Sequence, residues 1–163
     1  MKKAIIIGAS SGIGKGISIE LLKRNYKIGI TARRKDKLDE IKILYPDNVI
    51  VYPFDSSKEK NDEMLKYLTD KLGGLDLLIY SSGIGIVNKE LDYDIEQKVN
   101  NLNVNGFTQV VGWGFNYFKN QGYGQISNIS SVASEIGNGI CPSYNASKAY
   151  QANYLQGLRF KAY

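Results

Sequence analysis

Tyr144 and Lys148 stand four residues apart in the run Tyr144-Asn145-Ala146-Ser147-Lys148. On a helix that spacing puts both side chains on one face, with the ammonium beside the phenol. A free tyrosine titrates at about pH 10 and is useless as a base near neutrality, but a neighbouring cation favours the phenolate. Such a pair could give and take a proton, although the same spacing on its own more commonly marks a solvated helix face. Near the other end of the chain, Gly8-Ala9-Ser10-Ser11-Gly12-Ile13-Gly14 could cradle a pyrophosphate. Gly8 permits a tight turn, Gly12 lets backbone approach the phosphates, and Gly14 lets a helix pack closely on a strand. The spacing G-x-x-x-G-x-G differs from the commoner G-x-G-x-x-G.

These groups need elements to carry them, and the chain supplies an alternation. Residues 3–7 are a short β-branched run ending at Gly8, and Ile13, Ile17, Leu21 and Leu22 recur at helical spacing over 13–25. A strand over 27–31, a charged helix over 35–44 with Leu38, Ile41 and Leu44 inward, and a strand over 49–54 follow. Ser56 or Ser57 caps a helix through Leu72, Gly73-Gly74 stops it, and 75–80 is a fourth strand. One long helix is expected over 94–118, with Ile95, Val99, Leu102, Phe107, Val110, Val111, Phe115 and Phe118 on its apolar face. A turn at 122–124 leads to a fifth strand over 125–130, and a last helix begins near Ser143. Strands alternating with helices predict an α/β protein: a three-layer α/β/α Rossmann fold on a doubly wound parallel sheet, one domain over residues 1–163. Ligands of such sheets bind at the carboxyl ends of the strands. Each candidate group follows a strand: the glycine loop, Arg33, Asp55, Ser81 to Gly83, and Ser130-Ser131.

Composition removes several alternatives. The chain has 163 residues, 43% of them hydrophobic and 23% charged, which argues against disorder. It has no histidine and one cysteine, Cys141, so it has no internal disulfide and no N/S ligand set for a metal. No apolar run is long enough to span a bilayer, and the start is too short for a signal segment; a cytoplasmic location is expected. Lys and Arg number 21 against 16 acids, but they are scattered and read as solvated surface rather than a nucleic-acid face.

The glycine loop, Asn128-Ile129-Ser130-Ser131 and the Tyr-x-x-x-Lys run, in this order, resemble the short-chain dehydrogenases/reductases. Ser131 precedes Tyr144 by 13 residues, which suits that family and favours it over Ser130, and Asn103-Val104-Asn105-Gly106 resembles its Asn-x-x-Gly. The resemblance implies four catalytic residues: Tyr144 as general acid/base, Ser131 holding the substrate oxygen, Lys148 also bonding the nicotinamide ribose, and Asn103 anchoring a water linked to Lys148. It implies a cofactor site from Gly8, Ser10, Ser11, Gly12, Ile13, Gly14, Asp55, Ser56, Ser81, Ser82 and Gly83, with Asp55 against the adenine. Tyr80-Ser81-Ser82-Gly83 stands where the family shows Asn-Asn-Ala-Gly.

The second strand ends Thr31-Ala32-Arg33-Arg34 with no acid at its tip. Arginine there pairs with a 2′-phosphate, so NADPH/NADP+ is expected over NADH, with Arg33 as primary ligand and Arg34 as secondary. The implied reaction is hydride transfer to a small-molecule carbonyl, or from an alcohol. The implied assembly is a homodimer or homotetramer, with neither nucleic acid nor membrane as partner. Residues 132–143 are expected to line the substrate pocket, with Ile136, Ile140 and Cys141 as an apolar wall. Family members continue past the Tyr/Lys helix with a sixth strand and a substrate-covering segment, so the chain is expected to be a C-terminally truncated piece. The alternative reading is a non-catalytic dinucleotide-binding or regulatory protein; a methyltransferase would not need the Tyr-x-x-x-Lys run.

Overall fold

A computed structural model describes residues 1–58 and 60–162; Glu59, inside the span expected to be helical, and Tyr163, at the end of the expected domain, lie outside it. The strands are β1 (Lys3–Ile7), β2 (Lys27–Ala32), β3 (Val49–Pro53), β4 (Leu77–Tyr80) and β5 (Gln125–Asn128), all parallel in the order β3-β2-β1-β4-β5. The first crossovers run one way from β1 and the later ones run the other way, so the switch point falls between β1 and β4. The register levels the strand tips: Ile7 is opposite both Thr31 and Tyr80, and Tyr80 is opposite Asn128. The segments that follow those residues therefore meet along one edge.

Period-two geometry divides β1 between two cores. Ile5 and Ile7 join Leu65, Leu68 and Phe107 under α3 (Asn61–Leu72) and α5 (Phe107–Gln121). Ala4 and Ile6 join Leu22, Leu38 and Ile41 under α1 (Gly12–Lys23) and α2 (Lys35–Leu44). Ala4 through Ile7 have 0% exposure, as a central strand covered on both faces requires. The expected three-layer Rossmann arrangement is present. Among the described residues, no helix is long and apolar enough to cross a membrane.

Three local expectations are corrected. The helix expected from Ser56 or Ser57 starts at Asn61, because the Asp55 carboxylate accepts from the Ser57 amide (3.0 Å) and hydroxyl (2.7 Å), holding a local turn. The long helix is interrupted: α4 (Tyr93–Asn100) passes through a π turn at Asn101–Gly106 into α5. There a Cβ on Gly106 would lie 2.1 Å from the Ser56 carbonyl oxygen, so only glycine lets the helix press flush against the segment after β3. Leu44, expected inward, is 68% exposed, since α2 ends there and turns away. The last helix, α6, runs from Pro142 to Lys161, with the proline in the first turn, where its missing N–H costs nothing.

Candidate functional site

The loop between β1 and α1 is built by glycines with different tasks. Gly8 has φ +89°, and a Cβ there would lie 2.7 Å from the Ser82 amide nitrogen. On Gly14 a Cβ would sit 2.2 Å from the Gly8 carbonyl oxygen, so Gly14 is buried packing and does not line the cleft. Gly12, φ +55°, has nothing within 4 Å of the Cβ position and faces open space beside the first amides of α1. An anion could approach this backbone unobstructed, with the helix N-terminus behind it. The loop thus fits a dinucleotide pyrophosphate.

A cleft of about 330 Å³ opens over this loop. Gly8, Ser10, Ser11, Gly12 and Ile13 form one side, Arg33 and Arg34 an end, Asp55 and Ser56 another wall, and Ser81, Ser82 and Gly83 the floor after β4. Arg34 donates to the Ser10 hydroxyl (3.0 Å) and to the Ser11 hydroxyl (2.6 Å), drawing an exposed guanidinium across the loop. Asp55 is half-buried and keeps its carboxylate on Ser57.

Ile13, Ser81, Gly83 and Ile129 also line a second hollow, which is therefore continuous with the first. Its remaining walls are Gly85, Ser130, Ser131, Tyr144 and Lys148. Lys148 is 5% exposed, donates to the Ile129 carbonyl (2.9 Å) and to Gln151 Oε1 (3.1 Å), and has its Nζ 6.0 Å from the Tyr144 ring centroid. Burial holds its ammonium below the ordinary lysine value of 10.5. The Ser131 hydroxyl oxygen accepts from the Ala133 amide (3.2 Å), which fixes the oxygen while leaving its hydrogen available. Tyr144, Lys148 and Ser131 are thus brought together in one hollow.

Asn103 is placed differently: fully buried in the π turn, it stands behind the hollow. Its Oδ1 accepts from the Ile84 amide (3.0 Å), and its Nδ2 donates to the Ile84 carbonyl (2.8 Å) and the Ser147 hydroxyl (3.0 Å). It ties the segment after β4 to α6. π turns are rare and concentrate at functional sites.

The structure does not bring the expected apolar wall to this hollow. Ile136 and Ile140 are 76% and 53% exposed, and residues 133–139 border a separate shallow depression. Among the described residues no helix or strand covers 135–141. Cys141 is half-buried, its thiol 3.6 Å from the side-chain oxygens of both Asn138 and Asn145. Sequence reasoning missed Gly85, where a Cβ would come within 3.2 Å of the Tyr144 ring; its signal was a second glycine two positions after Gly83. It also missed Gln151, legible only as a polar residue on the Tyr144–Lys148 face of α6.

The family model described as short chain dehydrogenase matches residues 2–163. An uncharacterized oxidoreductase of Staphylococcus aureus (strain N315) is 32% identical over 161 residues, which are 96% of this chain and 70% of the relative. A short-chain dehydrogenase from Streptomyces avermitilis superposes with a TM-score of 0.91 at 25% identity, over 97% of this chain and 60% of that one. The structure titled ElxO with NADP bound superposes with a TM-score of 0.88 at 27% identity, over 99% of this chain and 68% of that one. The chain thus spans less than two thirds of the Streptomyces protein it matches. The family-model match over residues 2–163, with a 32%-identical relative covered to 70% of its length, places the chain in the short-chain dehydrogenase family of oxidoreductases.

Proposed function

We propose that the protein is an NADPH-dependent reductase of small carbonyl compounds, or in reverse a dehydrogenase of the matching alcohols, with Tyr144 as general acid/base. The observation that carries this reading is the convergence of Tyr144, Lys148 and Ser131 in a hollow continuous with the dinucleotide cleft. A bound nicotinamide supplies or accepts the hydride. In the reducing direction Tyr144 gives its phenolic proton to the substrate oxygen, and the buried Lys148 charge beside the ring stabilises the phenolate left behind. The Ser131 hydroxyl, its oxygen already engaged by Ala133, donates to the same substrate oxygen. The glycine loop, Asp55, Ser56 and Ser81 to Gly83 hold the dinucleotide.

Preference for NADPH rests on Ala32-Arg33-Arg34 at the tip of β2 and on Arg34 lying over Ser10 and Ser11. Those hydroxyls and the guanidinium together suit a phosphate, whereas a bare 2′-OH would want an acid there. ElxO holds NADP in its structure. Titration of the protein with NADPH and with NADH, followed by nicotinamide fluorescence, tests the assignment: NADPH binds about tenfold tighter or better. Equal affinity for both removes the 2′-phosphate role. A cytoplasmic homo-oligomer acting on a free small molecule, with no nucleic-acid or membrane partner, completes the proposal.

A further inference from the structure

Gln151 is fully buried on α6, three residues beyond Lys148 and seven beyond Tyr144. A carboxamide at 0% exposure must find partners for both its ends within the protein. Nε2 donates to the backbone carbonyl of Asn103 (2.7 Å), while Oε1 accepts from Lys148 Nζ (3.1 Å) and from Asn128 Nδ2 (3.1 Å). The orientation is forced, because an ammonium only donates and a main-chain carbonyl only accepts. Reversed, the amide would set NH2 against the Lys148 ammonium and oxygen against the Asn103 carbonyl, while Asn128, whose own amide can turn over, suits either.

Those partners come from three separate parts of the fold: the π turn, the end of β5 and the catalytic face of α6. Lys148 has three protons to give. One goes to the Ile129 carbonyl and one to Gln151, which leaves the third for the hollow it shares with Tyr144. Around the ammonium stand the Tyr144 ring of its own helix, the neutral oxygens of Ile129 and Gln151, and Asn103 Oδ1 near the Gly83 backbone. Of these, only the Tyr144 phenol is an ionisable group.

We propose that Gln151 is the positioning residue of the proton-transfer site, tying the Lys148 ammonium to the Asn103 main chain and to Asn128 through one fixed amide. The inference rests on the reading of Tyr144 and Lys148 as the proton-transfer pair. Family resemblance leads one to expect a water beside Asn103 on the way to Lys148; in this chain a side chain spans that interval. The amide accepts from Lys148 and donates to Asn103 but hands no proton between them. Lys148 is therefore held as an oriented charge, and the precision of that charge depends on Gln151.

The test is the titration of Lys148 itself, read by NMR on protein labelled at lysine Cε and Nζ, with the Lys148 signal assigned from its loss in Lys148→Met. Gln151→Leu removes an acceptor and lowers the Lys148 midpoint by about one pH unit; Gln151→Glu puts a carboxylate on the ammonium and raises it by at least as much. Wild-type midpoints in both variants would overturn the proposal, and if Gln151→Leu does not fold, the direction of the Gln151→Glu shift decides. The readout needs no turnover. Failure of the wild-type protein to bind NADPH by nicotinamide fluorescence would strike the proposed function and leave the Lys148 titration to judge Gln151 separately.

Discussion

The two ends of the cleft are held by opposite kinds of force. At the glycine-loop end, Ala4 to Ile7 of β1 lie fully buried between two apolar cores, and the loop after them packs so closely that a Cβ on Gly8 or Gly14 would collide with neighbouring backbone. At the end that holds Tyr144 and Lys148, β5 is an edge strand with no fully buried residue, and the residues that α6 buries are all polar: Ser143, Asn145, Ser147, Lys148 and Gln151. Packing sets the first region. Hydrogen bonds among Asn103, Ser147, Lys148, Gln151 and Asn128 set the second. The glycine-loop end should therefore resist changes of polarity and fail on added volume, while the other end should tolerate volume at its rim and fail on lost donors and acceptors.

The largest expected effect is chemical. Tyr144→Phe removes one oxygen from the polar end, lowers kcat by about 10³-fold and leaves NADPH affinity nearly unchanged. Steady-state kinetics beside fluorescence titration separates the two. A comparable loss of binding would mean that the two ends of the cleft are not independent.

Added volume gives the next effect. Gly14→Ala directs a Cβ to 2.2 Å from the Gly8 carbonyl and destabilises the fold by about 3 kcal/mol, whereas Gly12→Ala meets no atom and costs about 1 kcal/mol for its positive φ. Urea unfolding of both variants checks the order, and equal losses would show that conformation, not crowding, governs the loop. Arg34→Ala is expected to weaken NADPH by about tenfold while sparing NADH, as paired titrations would show.

A smaller effect lies in pH. Burial lowers the Lys148 ammonium below 10.5, so between its folded and unfolded values the unfolded chain binds the extra proton. Stability from this residue accordingly rises with pH through that window, and the cost of burying the charge is fully present below it. The stability of wild type minus that of Lys148→Met measures the difference, and it should rise with pH through that window whichever protein is the more stable; a difference that stays flat or falls contradicts the assignment. Least of all, Ile136→Ser should change stability by under about 0.5 kcal/mol in thermal unfolding, since its side chain is 76% exposed.

The same contrast decides what could be seen in the sequence. The strand-tip cleft was legible because its determinants are local: apolar runs of strand length, glycines at turn positions and arginines next to a strand tip. The meeting of Ser131, Tyr144 and Lys148 in one hollow was legible from their order and spacing and from the family resemblance these carry. Gln151 was not, because its partner Asn103 is 48 residues away and a buried amide on a polar helix face leaves no periodic signal. The π turn was hidden for a related reason. The apolar pattern from Ile95 to Phe118 continues through it, and only the contact of Gly106 with Ser56 shows why the helix widens there. The expectation for Leu44 failed because no described element packs over it, and an apolar side chain signals burial only if some element comes to cover it.

The central claim is that Tyr144, aided by Lys148, moves the proton while a nicotinamide moves the hydride. Its most direct test is a single-turnover reaction of NADPH-loaded protein with a carbonyl probe such as an aromatic α-diketone, followed by loss of nicotinamide absorbance in wild type and in Tyr144→Phe. The account predicts oxidation of bound NADPH by wild type and about 10³-fold slower oxidation by the variant at equal occupancy. Equal rates in the two proteins would contradict it.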